Sequence, residues 1–294
     1  MFKHLFKSMR PKQWTKNVAV FAALIFDRQL FNADAVIRTI AGFILFCLVS
    51  SSVYLFNDIM DIESDKKHPI KRNRPIAAGK LPISTALIFA LAFIIFSLGW
   101  GFWLSPGFGI LATIYFLTNL AYSKWLKHIV IIDVLVIALG FVLRVASGVS
   151  LISVERFSPW LYVVTTLLAL YIGFGKRRSE LTCLNEGAGD HRRVLDGYTI
   201  TFLDQLITIV SSTTVISYSF YTFSAPNLPA DHSMMLTIPF VLYGIFRYLY
   251  LIQVQQAGGA PEEVLLSDRP LQLTILCFGI LVFIIFYSNS LSIP

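Results

Sequence analysis

Long apolar runs separated by short polar stretches dominate this chain. Nine segments are long and apolar enough to be read as membrane-crossing helices: 17–31, 36–57, 82–104, 107–122, 128–150, 159–175, 203–224, 235–254 and 271–290. The first is weakened by Asp27 and Arg28, which interrupt it. No low-complexity segment and no strong internal repeat is present. The pattern predicts an all-α polytopic membrane protein, a bundle of nine transmembrane helices in the lipid bilayer.

Composition supports this reading. Of 294 residues 56% are hydrophobic and only 14% charged, against about 25% charged in a soluble domain. The net charge of +7 would hint at nucleic acid on a soluble protein. Here its location matters more, and no nucleic-acid partner is expected. Most of the 24 Lys and Arg fall in the N-terminal segment and in loops 58–80, 123–127, 176–202 and 255–270. The alternate loops hold Arg28, Arg38 and Arg156. The positive-inside rule then puts the N-terminus in the cytoplasm and, with nine spans, the C-terminus outside. The basic first 17 residues are followed by no small-residue cleavage site, so they read as retained in a cell-membrane protein. Cys47, Cys183 and Cys277 are isolated and form no metal or disulfide pattern.

The basic side also collects acids. Asp58, Asp61, Glu63, Asp65, Glu180, Glu186, Asp190, Asp196, Glu262, Glu263 and Asp268 all lie in its loops. Topology accounts for the cations there but not for the acids. A shared site facing the cytoplasm accounts for both.

The sharpest motif is Asn57-Asp58-Ile59-Met60-Asp61-Ile62-Glu63-Ser64-Asp65. At about 100° per residue its three aspartates fall within roughly 60° of one helix face. Close carboxylates repel unless a cation lies between them, and Mg2+ suits two or three carboxylates plus phosphate oxygens. A basic run follows: Lys66, Lys67, Lys71, Arg72, Arg74 and Lys80. Pro69, Pro75 and Gly79 would stiffen and turn it, presenting Lys71 and Arg74 to phosphate oxygens. Its blander reading is a topogenic loop.

Four further features stand out. Tyr122-Ser123-Lys124-Trp125-Leu126-Lys127 reads either as an interface anchor or as part of a site. Asp133 and Arg144 lie eleven residues apart, on one face of an apolar helix, so they either pair with other charges or line a polar cavity. Lys176-Arg177-Arg178-Ser179-Glu180 through His191-Arg192-Arg193 mixes cations and acids. Arg10-Pro11-Lys12-Gln13-Trp14-Thr15-Lys16-Asn17 is an interfacial segment, an anchor or a clamp for a lipid phosphate. No phosphate-binding glycine loop, no G-x-S-x-G elbow and no H-E-x-x-H motif is present.

On these residues the chain resembles the UbiA superfamily of intramembrane transferases. The pieces that carry the resemblance are Asn57–Asp65, Arg74-Pro75 to Gly79, Tyr122 with Lys127, and the nine apparent spans. It implies a single UbiA-like domain over residues 1–294, an all-helical bundle around a central cavity capped on the cytoplasmic side. Most members condense a polyprenyl diphosphate with an aromatic acceptor, using two aspartate-rich motifs near Mg2+. This chain has Lys176-Arg177-Arg178-Ser179-Glu180 where the second motif belongs. That departure resembles the branch of phosphoribosyltransferases that act on polyprenyl phosphates. Arg10-Pro11, Trp14, Lys16-Asn17, Asp133, Arg144 to Gly148, His191-Arg192 and Asp268-Arg269-Pro270 fit the same branch.

The resemblance implies phosphoribosyl pyrophosphate as donor, a polyprenyl phosphate as acceptor and Mg2+ as cofactor. Asp58 and Asp61 would be the metal ligands, with Asn57 and Asp65 in support. Lys71, Arg74, Lys127, Lys176, Arg177 and Arg192 would meet phosphate, and Glu180 a ribose hydroxyl or a cation. Arg10 and Lys16 would hold the lipid phosphate. Tyr122 joins the catalytic set, and Asn17, Arg144 and His191 the substrate-binding set. The competing readings are an aromatic prenyltransferase using a polyprenyl diphosphate, and a transporter or membrane scaffold with no metal dependence.

Overall fold

A computed structural model of the chain describes residues 1–68, 71–153, 158–185, 193–226, 228–255, 264 and 267–291. Every regular element among them is helical. Among the described residues six stretches are long and apolar enough to cross a membrane: Ala33–Met60, Ile83–Leu104, Ile132–Val149, Ile200–Ser224, Ser233–Gln253 and Arg269–Tyr287. The chain is therefore a multi-pass membrane protein. The expected segments 107–122 and 159–175 are also helical but more polar. The second continues into Lys176, Arg177, Arg178 and Glu180.

The contacts divide the chain into two compact units: residues 1–126 with 140–155, and residues 127–139 with 156–294. The first unit opens with α1 (Phe2–Ser8), a 3-10 helix (Pro11–Phe21) and α2 (Ala22–Phe26). The expected helix 17–31 is thus corrected to a 3-10 segment and a short α-turn. The α-turn stops at Asp27, and Arg28 takes a left-handed φ of 58°. Then come α3 (Ala33–Met60), α4 (Ile62–Lys67), α5 (Ile83–Leu104) and α6 (Pro106–Lys124). Helix α7 (Ile132–Val149) gives its first eight residues to the second unit and the rest to the first. The second unit holds α8 (Pro159–Asn185), α9 (Ile200–Ser224), α10 (Ile238–Gln253) and α11 (Arg269–Leu291).

Local chemistry sets the helix ends. Asn32 caps α3 by accepting from the Ala35 amide, and Thr199 caps α9 by accepting from Phe202. Ser105 caps α6, with Pro106 in the first turn where its missing N–H is harmless. Arg38 donates to the last carbonyl of α5, Leu104, at 2.6 Å and to Leu151 O at 2.9 Å. It thereby satisfies a carbonyl that a helix C-terminus leaves open.

In the first unit α3 packs on α5 and α6. Phe46, Val49, Val20, Phe108 and Ala112 are fully buried there. A smaller cluster, Leu55, Ile76, Leu81, Ala86 and Ala90, seats the loop after α4 on α3 and α5. Between membrane helices such packing rests on close van der Waals contact rather than on removal of apolar surface from water. Gly79, at φ 70°, closes that loop, with Lys80 and Leu81 amides both donating to Pro75 O. The second unit packs α8 on α9 around Tyr171, Phe174, Leu203, Ile207 and Ile252. Exposed Ile95, Trp103, Phe246 and Leu273 belong to long apolar helices, whose outer faces meet lipid rather than water.

Candidate active site

The acidic motif closes α3. The helix runs to Met60, Asp61 is its C-cap, and α4 restarts at Ile62. Asp58 and Asp65 are each 2% exposed, while Asp61, at the break, is half-buried. The expectation of three aspartates on one continuous face is corrected accordingly. Like charges stacked along a helix face destabilise it, and the helix is interrupted at the middle one.

Guanidinium groups neutralise the two buried carboxylates. Arg74 Nη1 donates to Asp65 Oδ2 at 2.7 Å and reaches Asp58 Oδ1 at 3.2 Å. Arg10 donates to the same Asp58 oxygen. The tight turn after Arg74 holds it there, with the Ala78 amide donating to Arg74 O at 2.8 Å. Arg10 lies over the Tyr54 ring, 4.8 Å from its centroid. Its backbone is left-handed, at φ 54°, immediately before Pro11. That conformation is strained for a non-glycine residue, and such strain collects at functional sites. Asn57 Oδ1 accepts from Ser123 Oγ at 2.6 Å, tying the end of α6 to the acidic motif.

Asn17 and Arg144 are also together in this unit. Asn17 is fully buried, Arg144 5% exposed. Arg144 Nε donates to Asn17 Oδ1 at 2.8 Å, its Nη1 to Gly140 O at 2.7 Å and its Nη2 to Tyr115 OH at 2.8 Å. Phe46, Tyr115 and Phe141 rings surround the guanidinium.

The second unit gathers a different set. Asp133, fully buried, accepts from Arg177 Nε at 2.6 Å and from Tyr198 OH at 2.8 Å. Arg177 Nη1 donates to Glu180 Oε2 at 2.5 Å. Of the two alternatives open for Asp133, pairing with another charge is the outcome. Tyr198 OH in turn accepts the Ile131 amide at 2.7 Å, and Ile131 sits at φ 70°. Burial, then the Asp133 hydrogen bond, pushes the Tyr198 phenol well above its ordinary range. Arg178 Nε pairs with Asp204 Oδ1 at 2.6 Å, and Gln253 shares that oxygen at 3.1 Å. Arg177 and Arg178 therefore commit their Nε atoms to acids.

Of the other expected residues, Lys16, Lys71, Tyr122, Lys127 and Lys176 are half-buried. His191 and Arg192 lie outside the described residues. Tyr198, Asp204, Tyr115 and Ser51 are network members beyond the expected site residues. An acid one turn into an apolar segment, as Asp204 is, was a usable signal. Tyr198 carried none, because a tyrosine beside a loop glycine has no distinctive periodicity.

Among the described residues no group of three or more His, Cys, Asp and Glu converges as a metal set. The donor chemistry at the end of α3 still fits Mg2+. Two buried carboxylates brought together at one guanidinium, with Asp61 between them in sequence, offer hard oxygens. Mg2+ ordinarily takes one or two carboxylates and completes its shell with water and phosphate.

Residues 18–260 match the UbiA prenyltransferase family. The decaprenyl-phosphate phosphoribosyltransferase of Corynebacterium glutamicum is 35% identical over 279 residues, covering 93% of this chain and 84% of that protein. The protein of that name from Mycolicibacterium smegmatis is 31% identical over 285 residues, covering 93% and 89%. Among solved structures, a UbiA homolog from Archaeoglobus fulgidus bound to GPP and Mg2+ superposes with a TM-score of 0.71. It is 18% identical, with 96% of each chain covered, a likeness of fold.

Proposed function

Because the chain belongs to the UbiA prenyltransferase family, we propose that it transfers 5-phosphoribose from phosphoribosyl pyrophosphate to a polyprenyl phosphate, with Mg2+, releasing pyrophosphate. Its 31–35% identity to decaprenyl-phosphate phosphoribosyltransferases over 93% of the chain supports the reaction class. The observation that carries the reading is the cluster Arg10–Asp58–Arg74–Asp65. It brings carboxylates suited to a cation and guanidiniums suited to phosphate oxygens to one helix end, as a metal-bound pyrophosphate requires.

The acceptor is already an anion, so the reaction needs no strong general base. One of its phosphate oxygens forms a bond to the anomeric carbon. The bond from that carbon to pyrophosphate breaks, and pyrophosphate leaves with the electron pair. Mg2+, held by Asp58 and Asp61 with Asp65 and Asn57 in support, would supply charge neutralisation to the leaving group. Arg74 and Lys71 orient phosphate oxygens. Arg10 and Lys16 receive the lipid phosphate. Charge developing on the leaving group is stabilised by cations already in place. The site faces the cytoplasm of a cell-membrane protein, on the side the basic loops mark.

The test is to incubate purified protein with Mg2+, a polyprenyl phosphate and labelled phosphoribosyl pyrophosphate. Label entering the lipid phase, and none without Mg2+, is expected. Label staying in water, with prenyl transfer from a polyprenyl diphosphate to an aromatic acid instead, would establish the aromatic prenyltransferase reading.

A further inference from the structure

The segment Pro11–Phe21 is a 3-10 helix eleven residues long. Such helices rarely exceed three or four residues, because their hydrogen bonds are poor. Something outside the segment must hold it. With three residues per turn, side chains at i and i+3 stack in rows. Trp14, Asn17 and Val20 form one row, and it is the inner one. Trp14 Nε1 donates to Ser51 Oγ at 3.1 Å, Asn17 Nδ2 to Ser50 Oγ at 3.1 Å and Cys47 Sγ at 3.2 Å, and Val20 is fully buried. Lys12, Thr15 and Val18 form the exposed row.

Helix α7 grips this row at two points. Arg144 donates to Asn17, and at Gly148 a Cβ would stand 2.0 Å from Val20 O. From Asn17 to Val20 is three 3-10 steps of about 2.0 Å, roughly 6 Å. From Arg144 to Gly148 is four α steps of about 1.5 Å, also roughly 6 Å. One turn of each helix matches one turn of the other, so the two contacts together fix the register of the segment. The Arg144 guanidinium is suited to this and little else. Its described partners are neutral oxygens and three rings, and the bonds to Gly140 and Tyr115 lock its plane.

We infer that Arg144 is a positioning residue: through the buried Asn17 amide it sets the register of the 3-10 segment, and so the placement of Arg10 at its start and Lys16 on its half-buried row. This rests on the reading of Arg10 and Lys16 as lipid-phosphate residues. It reassigns Asn17 and Arg144 from substrate contact to alignment.

Two readouts on the full chain in detergent test it. The first does not depend on activity: the rate of trypsin cleavage after Lys12 and Lys16, read by fragment mass. Arg144→Met and Asn17→Leu should each raise it about tenfold, and the double variant no further, since residues acting through one contact are non-additive. Unchanged cleavage, or a double variant showing the product of the single effects, overturns the inference. The second is kinetic. Both variants should raise KM for polyprenyl phosphate about tenfold while kcat stays within about twofold, and Arg144→Lys should restore less than half of the loss. A fall in kcat alone overturns a positioning role. If Arg144→Met does not fold, Tyr115→Phe, which removes one guanidinium partner, carries the same test at about threefold. Wild-type protein inactive with these substrates would refute the proposed function while leaving the cleavage test decisive.

Discussion

Arg74 donates to Asp65 across nine residues of chain, Nη1 to Oδ2 at 2.7 Å, and the same nitrogen reaches Asp58. One guanidinium therefore holds two carboxylates that are almost wholly buried. Removing it would strip Asp65 of this guanidinium and leave Asp58 with Arg10. Breaking a buried pair costs about 3–5 kcal/mol, and the partial exposure of Arg74 puts the loss near the lower end. Arg74→Met should lower the melting temperature in detergent by on the order of 5–10 °C and kcat/KM by at least about a hundredfold. Arg74→Lys should recover stability more than activity, because Lys lacks the two-pronged fork. Equal recovery of both would argue that Arg74 is purely a strut.

Asp58→Asn keeps the shape of the side chain while deleting the charge that faces Arg10 and Arg74. On the metal assignment, Mg2+-dependent turnover should fall about a thousandfold while the protein still elutes as a folded species. Asp61→Asn, at the helix break, should lose turnover with a smaller change in melting temperature, since Asp61 is not buried as Asp58 is. Full activity in either variant sinks that assignment.

Lys16→Ala should raise KM for the polyprenyl phosphate about tenfold and leave KM for the sugar donor within about twofold. Steady-state assays varying each substrate in turn measure this. Equal effects on both constants would place Lys16 away from the lipid phosphate.

Tyr198 gives a prediction in alkaline pH. Its phenol is pushed up by burial and by Asp133. The unfolded phenol ionises near 10, whereas the folded one resists. The stability it contributes is whole below about pH 10 and is lost as pH rises from there toward the raised folded value. Tyr198→Phe removes the donor to Asp133 and the acceptor for the Ile131 amide. That should cost about 1.5–3 kcal/mol at neutral pH and flatten the alkaline fall in melting temperature. A variant curve parallel to wild type would show that another group governs that limb.

How much of this was legible in the sequence varied with the physics involved. The long spans and the end of α3 bearing Asp58 were legible because apolar run length and charge density are local properties. So was the turn at Gly79, which a glycine after Pro75 announces. The break at Asp61 was not, because competition between helix continuation and repulsion among three acids depends on the arginines that later arrive. Arg10 comes from 48 residues away. The partners of Asp133 and Arg144 were hidden for the same reason. Their shared helix face was readable, but Arg177, Tyr198, Asn17 and Tyr115 reach them from 29 to 127 residues away. The 3-10 geometry of Pro11–Phe21 was illegible because it depends on contacts with α3 and α7 rather than on local propensity.

Asp268 supplies the acid-side counterpart. It accepts from Arg247 Nη2 at 2.7 Å and Nε at 3.2 Å, and caps α11 by accepting the Leu271 amide at 2.9 Å. The Arg247 hydrogen bond, chiefly, holds its carboxyl below the usual range. A carboxylate with a depressed folded pKa contributes stability that is present above its unfolded value, about 3.9, and is lost as pH falls through the folded one. The melting temperature should therefore drop below about pH 4. Both groups are partly exposed, so the contribution is modest. Asp268→Asn keeps a capping oxygen but forfeits the charge. It should lower the plateau at neutral pH slightly and shallow the acid fall, and Arg247→Met should reproduce both effects. If Arg247→Met destabilises while Asp268→Asn does not, the arginine works by packing over Tyr250, 5.3 Å from its ring centroid, rather than through the pair.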